Sequence, residues 1–169
     1  KMIGNANPDF SASFISNMNI YKNLNFSFQL DWIQGAQAYN QTRQWLYRDR
    51  VHADFDKEIT IDGNKGAWVT YYNSLYKTNQ ANKFFVEDAS YMRLRDISLS
   101  YSFGHLFKSK FINDVTLSAS GKNLLTITNY TGMDPEAVGT NVSNPMYRGI
   151  DLYSVPNLKS YIFSLNVQF

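Results

Sequence analysis

The chain has 169 residues and no cysteine, and 16 Lys and Arg against 14 Asp and Glu leave a formal charge of +2. That balance gives no case for a nucleic-acid groove or an acidic tail, and the absence of cysteine removes disulfide frameworks, thiol nucleophiles and thiolate metal sites. Mean hydropathy is −0.37, and no run approaches the ~20 apolar residues of a membrane helix. A membrane barrel stays open, because half of each barrel strand faces a polar lumen. Lys1 is not followed by a charged-then-apolar signal segment, so the export signal of an exported protein is expected upstream.

The first alternating segment sets Phe10, Ala12, Phe14, Met18 and Ile20 on one parity and Asp9, Ser11, Ser13, Asn17 and Asn19 on the other. Successive side chains of a strand point to opposite faces, so this reads as one apolar and one polar face. Tyr21-Lys22-Asn23 is a short turn, and the second strand sets Leu24, Phe26, Phe28, Leu30 and Trp32 against Asn25, Ser27, Gln29 and Asp31. Its length fits the ~9–11 residues that a tilted strand needs to cross a bilayer. Residues 35–88 break the pattern, with a short helix expected over 41–50 and a turn over 62–66. The third strand sets Ile97, Leu99, Tyr101 and Phe103 against Asp96, Ser98, Ser100 and Ser102. Upstream, Met92 and Leu94 change parity and Arg93 and Arg95 take the apolar one, which reads as a bulge or as the strand rising above a bilayer. After a modest connection, Val115, Leu117 and Ala119 alternate with Thr116, Ser118 and Ser120, and Leu125 and Ile127 resume the apolar parity. A long loop over 129–157 precedes the last strand, in which Tyr161, Phe163, Leu165, Val167 and Phe169 share a parity against Ser164, Asn166 and Gln168.

The connections run short, long, short, long, the rhythm of an outer-membrane barrel with short periplasmic turns and long outer loops. With the last strand descending, both long loops fall outside, and Arg93 and Arg95 fall near the outer interface, where a lipid-facing charge costs only ~0–1 kcal/mol. A soluble barrel or sandwich binding a small ligand through loop aromatics remains the alternative, since alternation reports two faces and not which solvent each meets. Against it stand only five good strands and a connection of some fifty residues, unusual in a compact domain.

Chemistry-bearing residues are sparse. His52 and His105 lie far apart and support no Ser/His/Asp set. Asp54, Asp56 and Glu58 offer carboxylates at alternate spacing, but Ile59 stands where a calcium loop needs Gly, and a solvated acidic stretch is the preferred reading. Gly63 and Gly66 are not followed by a helix-opening Gly-Lys-Ser/Thr, so no phosphate loop is read. No metal, cofactor or enzymatic activity is expected. Tyr39, Trp45, Tyr47, Trp68, Tyr71, Tyr72 and Tyr76 crowd the long connection. Such rings contact a ligand, form an interfacial girdle, or build the loop's own small core.

Four stretches resemble one family. Val86-Glu-Asp-Ala-Ser-Tyr-Met-Arg-Leu-Arg-Asp-Ile-Ser-Leu-Ser-Tyr-Ser-Phe103 is similar to a late-barrel strand motif of the SusC/RagA-like TonB-dependent transporters. Gly121-Lys-Asn-Leu-Leu-Thr-Ile-Thr-Asn-Tyr-Thr-Gly-Met-Asp-Pro-Glu136 resembles a second motif, Gly4-Asn-Ala-Asn-Pro-Asp-Phe10 a strand opening, and residues 156–169 the family's terminus. They occur in the family's order, and only about 36–85 is unmatched; Ser164 for the usual Gly and Lys122 for the usual Gln are departures.

The resemblance implies an all-β, antiparallel transmembrane barrel of about twenty-two strands, plugged, of which residues 1–169 are the last five or so. The plug is expected to lie outside this sequence, together with the amino-terminal part that engages the TonB complex. Residues 36–85 and 129–157 are then extracellular loops. The implied protein sits in the outer membrane of a Gram-negative bacterium, in contact with lipid, and imports glycans or peptides with a SusD-like surface lipoprotein. Asn129, Tyr130, Gly132, Asp134, Pro135 and Glu136 form an outer-loop motif, read first as turn packing and second as ligand contact. Tyr161, Phe163, Leu165, Val167 and Phe169 are the signal read by the barrel-assembly machinery. A non-transporting outer-membrane barrel is a further alternative.

Overall fold

The computed structural model describes residues 2–61, 63–67, 82–104, 111–139 and 147–169. In chain order the strands are β1 (Phe10–Tyr21), β2 (Leu24–Gln34), β3 (Gln37–Asn40), β4 (Glu58–Ile61), β5 (Asn64–Ala67), β6 (Val86–Asp88), β7 (Tyr91–Ser102), β8 (Asp114–Thr128), β9 (Ile150–Asp151) and β10 (Ser160–Gln168). Helix α1 (Gln41–Arg48) follows β3, and 3-10 turns lie at Ala53–Asp56 and Lys83–Phe85. The chain forms two compact units.

The first unit, Phe10–Gln34, Tyr91–Thr128 and Asn157–Phe169, is a five-stranded sheet of order β1-β2-β7-β8-β10. Every neighbouring pair is antiparallel. The period-2 pattern carries straight across the strands. Met18, Phe26, Leu99, Ala119 and Phe163 form one cross-strand row, while Asn19, Asn25, Ser100, Ser118 and Ser164 form another on the opposite face. Cross-strand pairing of like with like is what fixes register here, because a one-residue slip would turn every Phe and Leu to the polar side. The polar face is hydrogen-bonded across strands. Ser27 and Ser98 hydroxyls meet at 2.7 Å, and Ser13 and Ser102 donate to Asp31 and Asp114, each at 2.8 Å.

No described part of this chain covers the apolar face. Phe14 is 60% exposed, Leu165 67% and Phe163 79%. Apart from Tyr91, the buried hydrophobic residues among those described belong to the other unit. A soluble sandwich or barrel would pack these rings inward, and an uncovered apolar surface of this extent marks contact with something apolar. The finding counts against the soluble alternative.

Of the two readings of the parity break, the bulge is the one found, and it takes Arg93 and Arg95 off the apolar face. Register shifts between Leu94 and Asp96 on β7, and between Gln29 and Leu30 on β2, so Arg95 is the extra residue of a bulge. The bulge resets the alternation. Met92 and Leu94 join the apolar face opposite Trp32 and Leu30, and Arg93 lands opposite Asp31 on the polar one. Arg95 Nε donates to Asp31 Oδ2 at 2.7 Å. Arg93, 2% exposed, donates to Thr126 Oγ1 at 3.0 Å and lies over the Tyr91 ring. On β8 the same step is taken by Asn123, which adopts a left-handed φ of 53°, a conformation that Asn tolerates better than other non-Gly residues.

The second unit joins residues up to Asp9 with Gly35–Ser90 and Asn129–Pro156. The long connection that breaks the alternation contains more order than its pattern suggested. β3 pairs antiparallel with β6 and parallel with β9, and β4 and β5 form a hairpin around Gly63, whose φ is +80°. Tyr47 and Phe85, both fully buried, pack with Tyr39 and Phe55; Ala38, Ala89 and Tyr130 form a second cluster. Elements this short do not hold themselves, so these clusters and the polar links below carry the unit.

Candidate functional site

The second unit gathers most of the described chemistry-bearing side chains outside the sheet. Asn40 opens α1 as its N-cap, accepting from the Arg43 N–H at 2.8 Å. On the helix, Gln44 and Tyr47 turn inward, three residues apart and therefore on one face. Trp45 stacks on Tyr153, with centroids 4.8 Å apart, and the Arg48 guanidinium lies over the Trp45 ring.

Two carboxylates tie the segments together. Glu87 on β6 accepts from Arg43 Nη1 at 2.9 Å, from the Thr131 N–H at 2.9 Å and from the Thr131 hydroxyl at 2.7 Å, with Asn40 Nδ2 at 3.2 Å. Asp151 on β9 accepts from the Tyr130 hydroxyl at 2.6 Å, the Thr42 hydroxyl at 3.1 Å and the Ser154 N–H at 3.1 Å. Burial, the bond to Asp151 and its charge all push the Tyr130 phenol far up, so it stays a donor.

The residues expected from sequence fall into different places. Tyr47 is fully buried; its ring stacks on His52 at 4.5 Å, and its hydroxyl donates to Asp54 and accepts from Arg43 Nη2 at 3.3 Å. It is a core residue in this structure and presents no surface to a ligand. Tyr39 is half-buried, donating to Gln44 Oε1 at 2.8 Å and accepting from the Asn82 N–H at 3.3 Å, while one edge lines a cavity of about 240 Å³. Trp68, Tyr71, Tyr72, Tyr76 and His105 lie outside the described residues. In the 129–136 motif, Tyr130, Asp134 and Pro135 are buried and Asn129 is exposed. Asp134 accepts from the Glu136 N–H at 3.0 Å. Gly132 lies against the Tyr130 ring, where an added Cβ would sit 2.4 Å from a ring carbon. Gly132→Ala is therefore expected to destabilise this unit by about 1–3 kcal/mol, read as faster amide exchange at 129–139. Unchanged exchange would mean the ring simply moves aside.

A cavity of about 340 Å³ opens beside α1, lined by Thr42, Arg43, Leu46, His52, Met133, Asp151, Tyr153 and Ser154 among others. Leu46, Met133 and Tyr153 were not singled out in the sequence. None follows a periodic pattern, and they come from three distant segments. The neighbourhood is pH-sensitive. Burial holds the His52 imidazole below its ordinary 6.5, only partly offset by Asp54. Burial pushes the Asp54 carboxyl up, but hydrogen bonds from Lys57 and Tyr47 and the nearby cations outweigh it and hold it below its ordinary 3.8. Both folded groups bind protons less readily than unfolded ones, so both favour the fold at high pH. Stability of this unit is expected to fall first as pH drops through about 6.5 and again below about 3.8. In His52→Gln the first step should vanish from a pH series of limited proteolysis; persistence of that step would assign it elsewhere.

A sheet with one continuous uncovered apolar face and one hydrogen-bonded polar face has the pattern of a segment of a transmembrane β-barrel. No family model matches the chain. Along its whole length, however, it is 30% identical over 173 residues to the TonB-dependent receptor P3 of Formosa agariphila, covering 17% of that protein. It is 25% identical over 159 residues to the TonB-dependent receptor SusC of Bacteroides thetaiotaomicron, covering 88% of this chain and 14% of SusC. Its fold matches a solved structure of the RagAB peptide importer in the closed-closed state, with a TM-score of 0.69 at 20% identity, over 100% of this chain and 18% of that one. From end to end the chain is thus similar to a barrel segment of TonB-dependent receptors, SusC among them. It spans less than one-fifth of the length of these relatives.

Proposed function

We propose that this chain is the carboxy-terminal part of an outer-membrane TonB-dependent transporter that imports glycans or peptides together with a SusD-like surface lipoprotein. The observation that carries the reading is the sheet itself, with Phe14, Leu99, Leu117 and Leu165 uncovered on one face and hydrogen-bonded Ser and Asp side chains on the other. The first face suits lipid, and the second suits a polar lumen. Residues 36–85 and 129–157 are the outer loops in this reading, and Tyr39, at a cavity wall, and Trp45, stacked with Tyr153, are the described aromatics assigned to ligand contact. Tyr161, Phe163, Leu165, Val167 and Phe169 present the alternating apolar face that the assembly machinery reads, and deleting Phe169 should lower the amount of assembled barrel. The relatives are transporters and receptors by name, which supports import rather than catalysis.

The test uses the full-length receptor in its own cells. Uptake of labelled oligosaccharide or peptide should require the receptor and collapse when the inner-membrane proton gradient is dissipated. The receptor should sediment with outer membranes and need detergent for release. Recovery in a soluble periplasmic fraction, or uptake indifferent to energisation, would defeat the reading.

A further inference from the structure

The 340 Å³ cavity beside α1 has walls whose polar groups are already engaged. Asp151 is taken by Tyr130, Thr42 and the Ser154 N–H, and the Thr42 hydroxyl also accepts from the Tyr153 N–H at 2.8 Å. The Arg43 guanidinium is held by Glu87 and lies 3.9 Å from Asp54, and Asn40 and Thr131 bond to Glu87. His52 Nδ1 accepts from the Asp54 N–H at 3.1 Å, which leaves its ring a single N–H to offer. Arg43 Nε and Ser154 Oγ have no partner, but each exposes less than 1 Å² and so is closed to an occupant.

What the cavity offers an occupant is therefore apolar surface: Leu46, Met133 at 77% exposure and the Tyr153 ring at 56%. Its size falls within the ~300–1,000 Å³ range of small-ligand pockets, at the low end. We infer that this cavity receives one apolar, ring-sized side chain of a peptide. The inference rests on the import reading above and names the ligand group for which this part of the receptor is built. A sugar is the poorer occupant. Its several hydroxyls would lose water and find few side-chain partners not already hydrogen-bonded, and unpaired buried hydroxyls oppose binding. A free peptide carboxylate is poorer too, since Arg43 is paired with Glu87, and an ammonium would find the Asp151 oxygens already accepting three hydrogen bonds. An aromatic or branched aliphatic side chain asks for no hydrogen bond, and an aromatic one gains an offset ring contact with Tyr153.

The experiment measures binding of N-acetyl-phenylalanine amide, N-acetyl-glycine amide and maltose to the purified full-length receptor in detergent, by calorimetry or saturation-transfer NMR. The phenylalanine probe is expected to bind at least tenfold more tightly than the glycine probe. That preference should be lost in Met133→Asp and in Tyr153→Ala, two exposed positions, and in Leu46→Asp. Equal binding of the two amides, a phenylalanine preference that survives in Met133→Asp and Tyr153→Ala, or a maltose site removed by those variants would each overturn the inference. Energised import that proceeds with unaltered selectivity in all three variants would overturn the cavity's role and leave the import reading standing. Cavity-dependent probe binding without energised import would do the reverse.

Discussion

Leu99→Arg is expected to remove most of the folded receptor from the outer membrane, whereas Ser98→Arg, one residue away, should leave it nearly intact. The two side chains differ little in depth and point to opposite faces of β7. Leu99 lies in the apolar row with Phe26 and Phe163 and is 45% exposed. Little protein packing is lost when it is replaced. If water met this face, an exposed Leu→Arg change would fall within the ~0.5 kcal/mol of ordinary surface substitutions. If lipid meets it, the guanidinium costs about 2–4 kcal/mol near the midplane, a ~30- to 700-fold shift in the folding equilibrium. Ser98 faces the polar side, where its partner is the Ser27 hydroxyl, and its replacement forfeits about one hydrogen bond. The readout is the heat-modifiable folded band of the full-length receptor in outer-membrane fractions, together with urea midpoints in vesicles. Equal tolerance of the two variants would mean that the Phe and Leu face meets something other than lipid.

Glu87→Ala should have the largest effect within the second unit. The Glu87 carboxylate, 9% exposed, is shared by Arg43, Thr131 and Asn40, which come from the helix, the 129–136 motif and the end of β3. Removing it leaves the half-buried Arg43 with Asp54 at 3.9 Å as its remaining carboxylate partner. Breaking a buried pair from one side typically costs about 3–5 kcal/mol, and the partial exposure of Arg43 places this one toward the low end. Amide protection should fall together around 36–48, 86–89 and 129–137, with the five-stranded sheet unchanged. Adding Arg43→Met should restore part of the loss, because it removes the stranded cation, and that non-additivity identifies the pair rather than general damage. Strictly additive losses would show that Glu87 acts through Thr131 alone.

The readable and unreadable parts of this chain divide along one physical line. Alternation with period 2 is a local property, so Leu24 to Trp32 declared a strand with two unlike faces before any partner was known. The parity break at Arg93 and Arg95 was visible as well, but its consequence was not. Whether a bulge sends Arg93 to lipid or to Asp31 depends on the register with β2. Tyr47 and Trp45 looked alike as loop aromatics, yet one is sealed against Phe85 and the other stacks on Tyr153. Helical position separates them by two residues, but the partners that decide their fates lie ~40 and ~110 residues away, beyond the reach of any local pattern.

From its sequence alone this chain determined five strands, their faces and the order of short and long connections, because each depends on residues two to twelve positions apart. The tertiary structure decided which arginines are polar-facing, which aromatics form a core, and that Glu87 and Asp151 hold the second unit together. Those outcomes depend on pairings between segments that meet only after folding. The free energy of a buried charge or ring is set by the neighbours that it finds there, not by the residues beside it in the chain.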